Sequence, residues 1–169
     1  MLKTQRLILR GPRADDLDDM FALFSDPRVM RYWSTPVHKN RDVTADMLKW
    51  RIKNWPDWPH YFQIEHEGRV VGSAGNHRST EIGFMLSPDH WRKGIITEAM
   101  SAIIPHLWDT TDHDELTADA DPLNAASIGL LTSLGFVETH RAKKTFFING
   151  VWSDSVYFSL PRPLQVPAK

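Results

Sequence analysis

A strand-like segment, Glu81-Ile-Gly-Phe-Met-Leu86, passes through the basic turn Trp91-Arg-Lys-Gly94 into a helix-like segment at 97–108. This junction constrains the fold more than any other feature of the chain. A strand that feeds a helix through a short turn belongs to a sheet with helices laid upon it. The periodicity on either side agrees. Residues 4–10 alternate, with Leu7 and Leu9 on one face. Residues 14–25 carry Leu17, Met20, Phe21 and Phe24 at helical spacing, open on Asp15 and Asp16, and stop at Asp26-Pro27. A second helix is predicted over 43–55, ahead of Pro56 and Pro59. Residues 61–66 and 69–74, joined by Glu67-Gly68, and residues 80–86 read as an antiparallel meander. Beyond the junction, Pro105 is expected to kink or end the helix, 115–120 reads as a strand, and 125–134 as a helix closed by Gly135. Strands at 137–147 and 153–160 flank Asn149-Gly150, a strong hairpin signal. The predicted order is β-α-α-β-β-β-α-β-α-β-β, an α/β fold with a mixed sheet.

With 169 residues, the chain fits one domain, taken as 1–163, with a proline-bearing tail at 164–169 that is expected to fray. Cysteine is absent, which excludes disulfides, thiolate metal sites and cysteine nucleophiles. Lysine plus arginine number 20 against 21 acidic residues, so no global basic field points to nucleic acid or an anionic membrane as partner. The first ten residues alternate charge and hydrophobe instead of forming a secretory leader, and no apolar run approaches a bilayer-spanning length. A soluble, cytoplasmic protein is expected. The eight histidines show no H-E-x-x-H pattern, so no metal is expected, and the acidic run Asp109, Asp112, Asp114, Glu115 reads as a solvated turn.

Arg92-Lys93-Gly94 stands where the unpaired N–H groups of the next helix begin. Such a turn is either a solvated basic loop or a pyrophosphate site, since helix N-termini and adjacent cations both favour anions. Neither a Walker loop nor a G-x-G-x-x-G fingerprint is present. Glu81, at a strand end, can serve as a general base or as half of an ion pair. Asn124, at the start of a helix, suits an N-cap.

Three segments in order, Glu81–Leu86, Trp91-Arg-Lys-Gly-Ile-Ile-Thr-Glu-Ala99, and Asn124-Ala-Ala-Ser127 leading to Leu134-Gly-Phe136, resemble the GNAT superfamily of N-acetyltransferases. The closest likeness is to its RimJ/RimL-like branch of ribosomal-protein N-terminal acetyltransferases, over nearly the whole chain. The resemblance implies a twisted, mostly antiparallel sheet with a β-bulge and splayed strands, and helices on both faces. It implies acetyl-CoA as cosubstrate, its pyrophosphate on the amides of Arg92, Lys93, Gly94, Ile95, Ile96 and Thr97. Trp91 and Ile96 depart from the wider pattern, which has Gln or Arg and Gly or Ala there. The bulge is expected at the end of 82–86, leaving the main chain of Phe84, Met85 and Leu86 for the pantetheine amides. Asn124 is expected to hydrogen-bond pantetheine. Ser127 is expected to protonate the departing thiolate, because Leu131 replaces the superfamily's tyrosine. Glu81 is the expected base, and Tyr32, Trp33 and Asp154 the acceptor-side residues. The implied acceptor is an amine, best an α-amine of a peptide N-terminus or an amino-acid-like molecule. A small-molecule acetyltransferase acting on an aminoglycoside or polyamine, and a non-catalytic acyl-CoA sensor, are the alternatives. A homodimer is also compatible with the resemblance.

Overall fold

The computed structural model describes residues 1–148 and 150–164; Asn149 of the hairpin turn and residues 165–169 of the tail lie outside the described residues. Its elements are β1 (Leu2–Lys3), β2 (Leu7–Arg10), α1 (Leu17–Phe24), α2 (Pro27–Met30), α3 (Arg41–Asn54), β3 (Tyr61–His66), β4 (Arg69–Arg78) and β5 (Glu81–Leu86), followed by α4 (Ile95–Thr110), β6 (Glu115–Ala120), α5 (Ala125–Ser133), β7 (Val137–Ile148) and β8 (Val151–Pro161). The strands form one sheet in the order β1-β2-β3-β4-β5-β6-β8-β7, antiparallel throughout except between β5 and β6.

Helices cover both faces of the sheet. On one face Ile95, Ala99, Met100, Ile103 and Leu107 of α4 and Leu131 of α5 close over Leu7, Leu9, Phe62, Ile64, Leu116 and Phe158. On the other, Met20, Leu23 and Phe24 of α1 and Val29 and Met30 of α2 cover Val70 and Met85. These two apolar layers hold the molecule together, because each strand can bury side chains on both of its faces.

Several expected boundaries move, each for a local reason. The strand predicted over 4–10 folds back on itself: Thr4 N–H donates to Leu7 O at 3.0 Å and Leu7 N–H donates to Thr4 Oγ1 at 3.0 Å, so β1 pairs with β2. Asp26-Pro27 does not simply end a helix. Asp26 accepts from Arg28 N–H at 2.8 Å and caps α2, with proline in the first turn, where its missing N–H costs nothing. Pro105 does not end α4, which continues to Thr110. Pro105 and Ser101 both lie on the exposed side, so the carbonyl that proline leaves unbonded faces water. The last strand, predicted over 153–160, runs on to Pro161, and the Arg162 guanidinium donates to the carbonyls of Trp108, Thr111 and His113, in the last turn of α4 and the loop after it.

Arg10 shows how the fold tolerates a charge in its interior. Only 6% exposed, it donates two hydrogen bonds to Asp16, at 2.7 and 2.9 Å, and a third to Glu65. A guanidinium held by two carboxylates in this way offsets most of the cost of leaving water.

Candidate active site

β5 and β6 touch at one point only. Glu81 pairs with Thr117, Thr117 N–H donates to Thr80 O at 2.9 Å, and the two threonine hydroxyls meet at 3.1 Å. Beyond that bridge no ladder joins the strands, so the β6-facing main chain of β5 has no strand partner. This is the splay that the family resemblance implies. The bulge lies elsewhere than expected. The register between β4 and β5 is unbroken from Ile82 to Leu86 and shifts instead at the opposite end, between Asn76 and Arg78. The extra residue is His77, and the shift turns its ring toward Glu81.

At the wide end of the splay, the junction turn leads into α4. Arg92 has φ +59 and Gly94 φ +73 as the N-cap of α4, with no side chain capping the helix. A non-glycine residue held in this region is a mark of a built turn rather than a slack loop. The N–H groups of Ile95, Ile96 and Thr97 therefore begin the helix without partners on the exposed end, where Arg92, Lys93 and Gly94 are also exposed. Arg6 braces the turn from behind, donating to Lys93 O at 3.0 Å and to Glu98 at 2.6 Å. Ile96 does not crowd the turn, since its side chain packs against the main core. Trp91 donates from Nε1 to Leu86 O at 2.8 Å and so pins the turn to the end of β5. That bond occupies the Leu86 carbonyl, and Met85, expected with Phe84 and Leu86 to offer its main chain, turns its carbonyl to Gly72 of β4, because successive residues of a strand point their main-chain groups to opposite edges; Phe84 is left as the free part of this strand edge. Exposed amides, two cations and an open strand edge fit a nucleotide pyrophosphate followed by an amide-bearing arm.

Asn124 uses its side chain as the N-cap of α5, accepting from Ser127 N–H at 3.2 Å. Ser127 stands half-buried in the first turn of that helix. Leu131, one turn further, is 1% exposed and belongs to the core.

Glu81 lies on the opposite face of the sheet, half-buried. His77 Nε2 sits 3.3 Å from its Oε1. This contact, more than partial burial opposes it, keeps the Glu81 carboxyl below its ordinary value, and Arg78 adds to the effect. Gly83, next but one along β5, makes room for the His77 ring: a side chain there would meet His77 at 3.3 Å and Trp33 at 3.8 Å. Trp33 packs on the second core with its ring edge beside Gly83, and Tyr32 donates from its hydroxyl to Leu123 O at 3.2 Å, bridging to the loop before Asn124. The structure therefore brings Trp33 and Glu81 to one place, with Tyr32 at its border. Asp154 lies apart from Glu81 on β8, where it accepts from Lys144 N–H at 2.9 Å and holds an irregular turn of β7 at φ +55. It also lines an open basin of about 310 Å³ with Pro122, Arg141, Ala142, Lys143 and Ser155.

Two residues here had no signal in the sequence, His77 and Asp119. Asp119 projects from β6 on the same face as Thr117 and Glu81, two residues past the bridge, and Ser155 Oγ donates to it at 3.3 Å. Burial raises the Asp119 carboxyl, and the Glu81 charge raises it further. Neither residue lies in a motif, and only strand register could have placed them. Among the described residues no group of three or more histidine, cysteine or acidic side chains is arranged to hold a metal ion, and no helix is long and apolar enough to cross a membrane.

The profile of the acetyltransferase (GNAT) domain matches residues 6–137. The uncharacterized N-acetyltransferase YoaA of Bacillus subtilis is 26% identical over 176 residues, covering 98% of each chain. The [ribosomal protein uS5]-alanine N-acetyltransferase of Escherichia coli is 30% identical over 114 residues, which span 68% of this chain and 58% of that protein. Among solved structures, the microcin C7 self-immunity acetyltransferase MccE, determined in complex with acetyl-CoA and AMP, superposes with a TM-score of 0.82 at 16% identity, covering 94% of each chain. Matched by the domain profile over most of its length, and carrying the splayed strands and the strand–turn–helix junction in one sheet, the chain belongs to the GNAT family of N-acetyltransferases.

Proposed function

We propose that the enzyme transfers acetyl directly from acetyl-CoA to an α-amine, that of a peptide N-terminus or an amino-acid-like acceptor. The observation that carries this reading is the splay of β5 from β6, with the exposed turn at Arg92–Gly94 on one side of the sheet and Glu81 on the other. Donor and acceptor then approach one gap from opposite faces, and holding both in place supplies much of the rate.

The cosubstrate brings the acetyl group as a thioester. The amides of residues 92–97 and the charges of Arg92 and Lys93 bind its pyrophosphate, and the free edge at Phe84 takes the pantetheine amides as an added strand would. Ser127, oriented by the Asn124 cap, delivers a proton to the departing sulfur, since Leu131 is apolar and buried. On the acceptor face, Glu81 stays ionised through His77 and attracts an ammonium group. No covalent acyl-enzyme forms, because the chain has no cysteine and no nucleophile elbow.

An α-amine suits this site better than a lysine or a polyamine. Its ordinary value, near 8, lies about two units below that of lysine, so a carboxylate site has less to correct. Around the neighbouring basin Lys143 is positive, and Asp154 is already engaged by Lys144 N–H, which leaves little to hold a polycation. The named activity of the Escherichia coli relative, on the alanine of a ribosomal protein, points the same way.

The test is an acetyl-CoA consumption screen over peptides, amino acids, spermidine and aminoglycosides, with products identified by mass. Free N-termini or amino-acid-like amines should give the highest kcat/KM. Spermidine or an aminoglycoside in that place, with N-termini inert, rejects the α-amine assignment.

A further inference from the structure

We propose that Arg51 anchors a carboxylate of the acceptor, so that the preferred acceptors are α-amines with a free carboxylate within a few residues, amino acids or short peptide acids ahead of the N-termini of proteins. The inference rests on the α-amine reading above and names the substrate class of that same site.

The observation is a cation enclosed without a counter-charge. Arg51 reaches from α3 over the acceptor face of the sheet, its guanidinium held against two rings, 5.4 Å from the centre of Phe24 on α1 and 5.2 Å from that of Tyr61 on β3. Its Nη1 is sealed from solvent and has no hydrogen-bond partner. No acid answers it. One turn away on either side, Met47, Leu48, Asn54 and Trp55 are uncharged. Asp18 and Asp19 of α1 are bound to Arg41 and Arg69, and Asp46 of α3 to Lys49. From the loop before α3, His38 stacks on Phe24 and meets Thr44 Oγ1 at 2.8 Å. Burial draws the Arg51 guanidinium below its ordinary value, and no carboxylate acts to raise it. Arginine keeps its proton even so, and an enclosed charge without a partner is costly to the free protein. An arriving anion removes that cost.

The floor beneath it is polar and equally unsatisfied. Tyr61 pairs across β4 and β5 with Gly75 and Gly83, and the next row on the same face is Gln63, Ser73 and Met85. The Tyr61 hydroxyl, both amide atoms of Gln63 and the Ser73 hydroxyl are sealed without partners, Gln63 and Ser73 at 0% exposure. The recess is nonetheless open. Arg51 as a residue is only half-buried, as are Tyr61, His77 and Glu81, whereas the row behind them is buried, so these four line one strip that water reaches. The Tyr61 ring meets the His77 ring edge-on at 6.0 Å, and His77 Nε2 lies 3.3 Å from Glu81. These contacts keep the guanidinium within a span of Glu81 that fewer than five extended residues cover, at about 3.4 Å each.

The strip therefore has a carboxylate at one end and a lone guanidinium at the other. That is the complement of a zwitterion: Glu81 draws the ammonium toward the thioester, and the guanidinium edge takes the two oxygens of a carboxylate. A polyamine or an aminoglycoside meets a like charge at the Arg51 end, which gives the acceptor preference a repulsive as well as an attractive part.

The experiment offers alanine and its oligomers of two to four residues, each as free acid and as C-terminal amide, to wild type, Arg51→Lys and Arg51→Met with acetyl-CoA saturating. In wild type at least one length should be used at least tenfold better, in kcat/KM, as the acid. Arg51→Met should lose that preference mainly through KM, with the amides changed by less than about threefold and acetyl-CoA affinity unchanged, and Arg51→Lys should keep part of it. Thermal unfolding gives a second reading. Methionine packs on the same rings and leaves no charge behind, so Arg51→Met without ligand should melt no lower than wild type, while the acids should raise the melting point of wild type and not of Arg51→Met. Equal use of acid and amide at every length strikes the anchor and leaves the α-amine reading standing; so does a preference that survives Arg51→Met, or an unliganded Arg51→Met that melts several degrees lower, which assigns the guanidinium to the free fold. Should wild type acetylate no amine, the α-amine reading fails by itself, and calorimetric binding of the same oligomers in the presence of coenzyme A decides the present one: acids at least tenfold tighter than amides in wild type but not in Arg51→Met support it, equal binding rejects it.

Discussion

Gly94→Asp set against Gly94→Ala isolates the electrostatics of the junction turn from its backbone strain. Gly94 has φ +73, and a Cβ there would meet only the far end of Arg6, at 3.5 Å. Both variants therefore carry a left-handed residue, a penalty of about 1–2 kcal/mol that aspartate softens by forming local hydrogen bonds. Neither clashes with backbone, so both should fold, Asp no worse than Ala. They differ in one charge. If the pyrophosphate lies against residues 92–97, a carboxylate about 5 Å from a phosphate charge costs about 3 kcal/mol at an effective dielectric near 20. That is about a hundredfold in affinity, some of it screened by salt at this exposed site. Calorimetric titration with acetyl-CoA, alongside thermal unfolding of each variant, reads both quantities. Gly94→Asp should bind at least tenfold more weakly than Gly94→Ala and melt no lower. Affinities within threefold of each other, in two folded variants, would refute the placement of the pyrophosphate.

Arg10→Met should destabilise the fold by about 3–5 kcal/mol in urea titration, because it strands the 3% exposed Asp16 without its partner; a loss below about 1 kcal/mol would show that water replaces the guanidinium. His77→Gln removes the group that holds the Glu81 carboxyl below its ordinary value. A depressed carboxylate lends stability above its unfolded value that is lost as pH falls through the folded one, so the variant should give up this contribution, and its acid limb of kcat/KM should move upward; an unmoved limb excludes the His77–Glu81 coupling. Leu131→Tyr should lower the melting point through overpacking of about 1–3 kcal/mol without raising kcat, since that position faces the core; a gain in kcat would make it a proton-donor position after all.

Local chemistry was legible from the residues alone. Periodicity located the meander, α4 and the last two strands to within a few residues, because apolar spacing reports directly which side of an element is buried. The order of the three motif segments was enough to point to the family, and the basic turn was visible because two cations and a glycine stand directly before a helix, where unpaired N–H groups favour an anion. Short-range competition misled the reading at Thr4, Asp26 and Pro105, where one side-chain bond or a solvent-facing carbonyl decided the outcome. Tertiary structure alone decided the rest. That β8 lies between β6 and β7, that β5 and β6 touch only at Glu81 and Thr117, and that the bulge falls at His77 are facts of register between segments far apart in the chain. His77 meets Glu81 for the same reason, and Asp119 shares its face of the sheet. A strand shows its periodicity to its own neighbours, whereas the residue it places opposite another strand depends on where that other strand begins to pair.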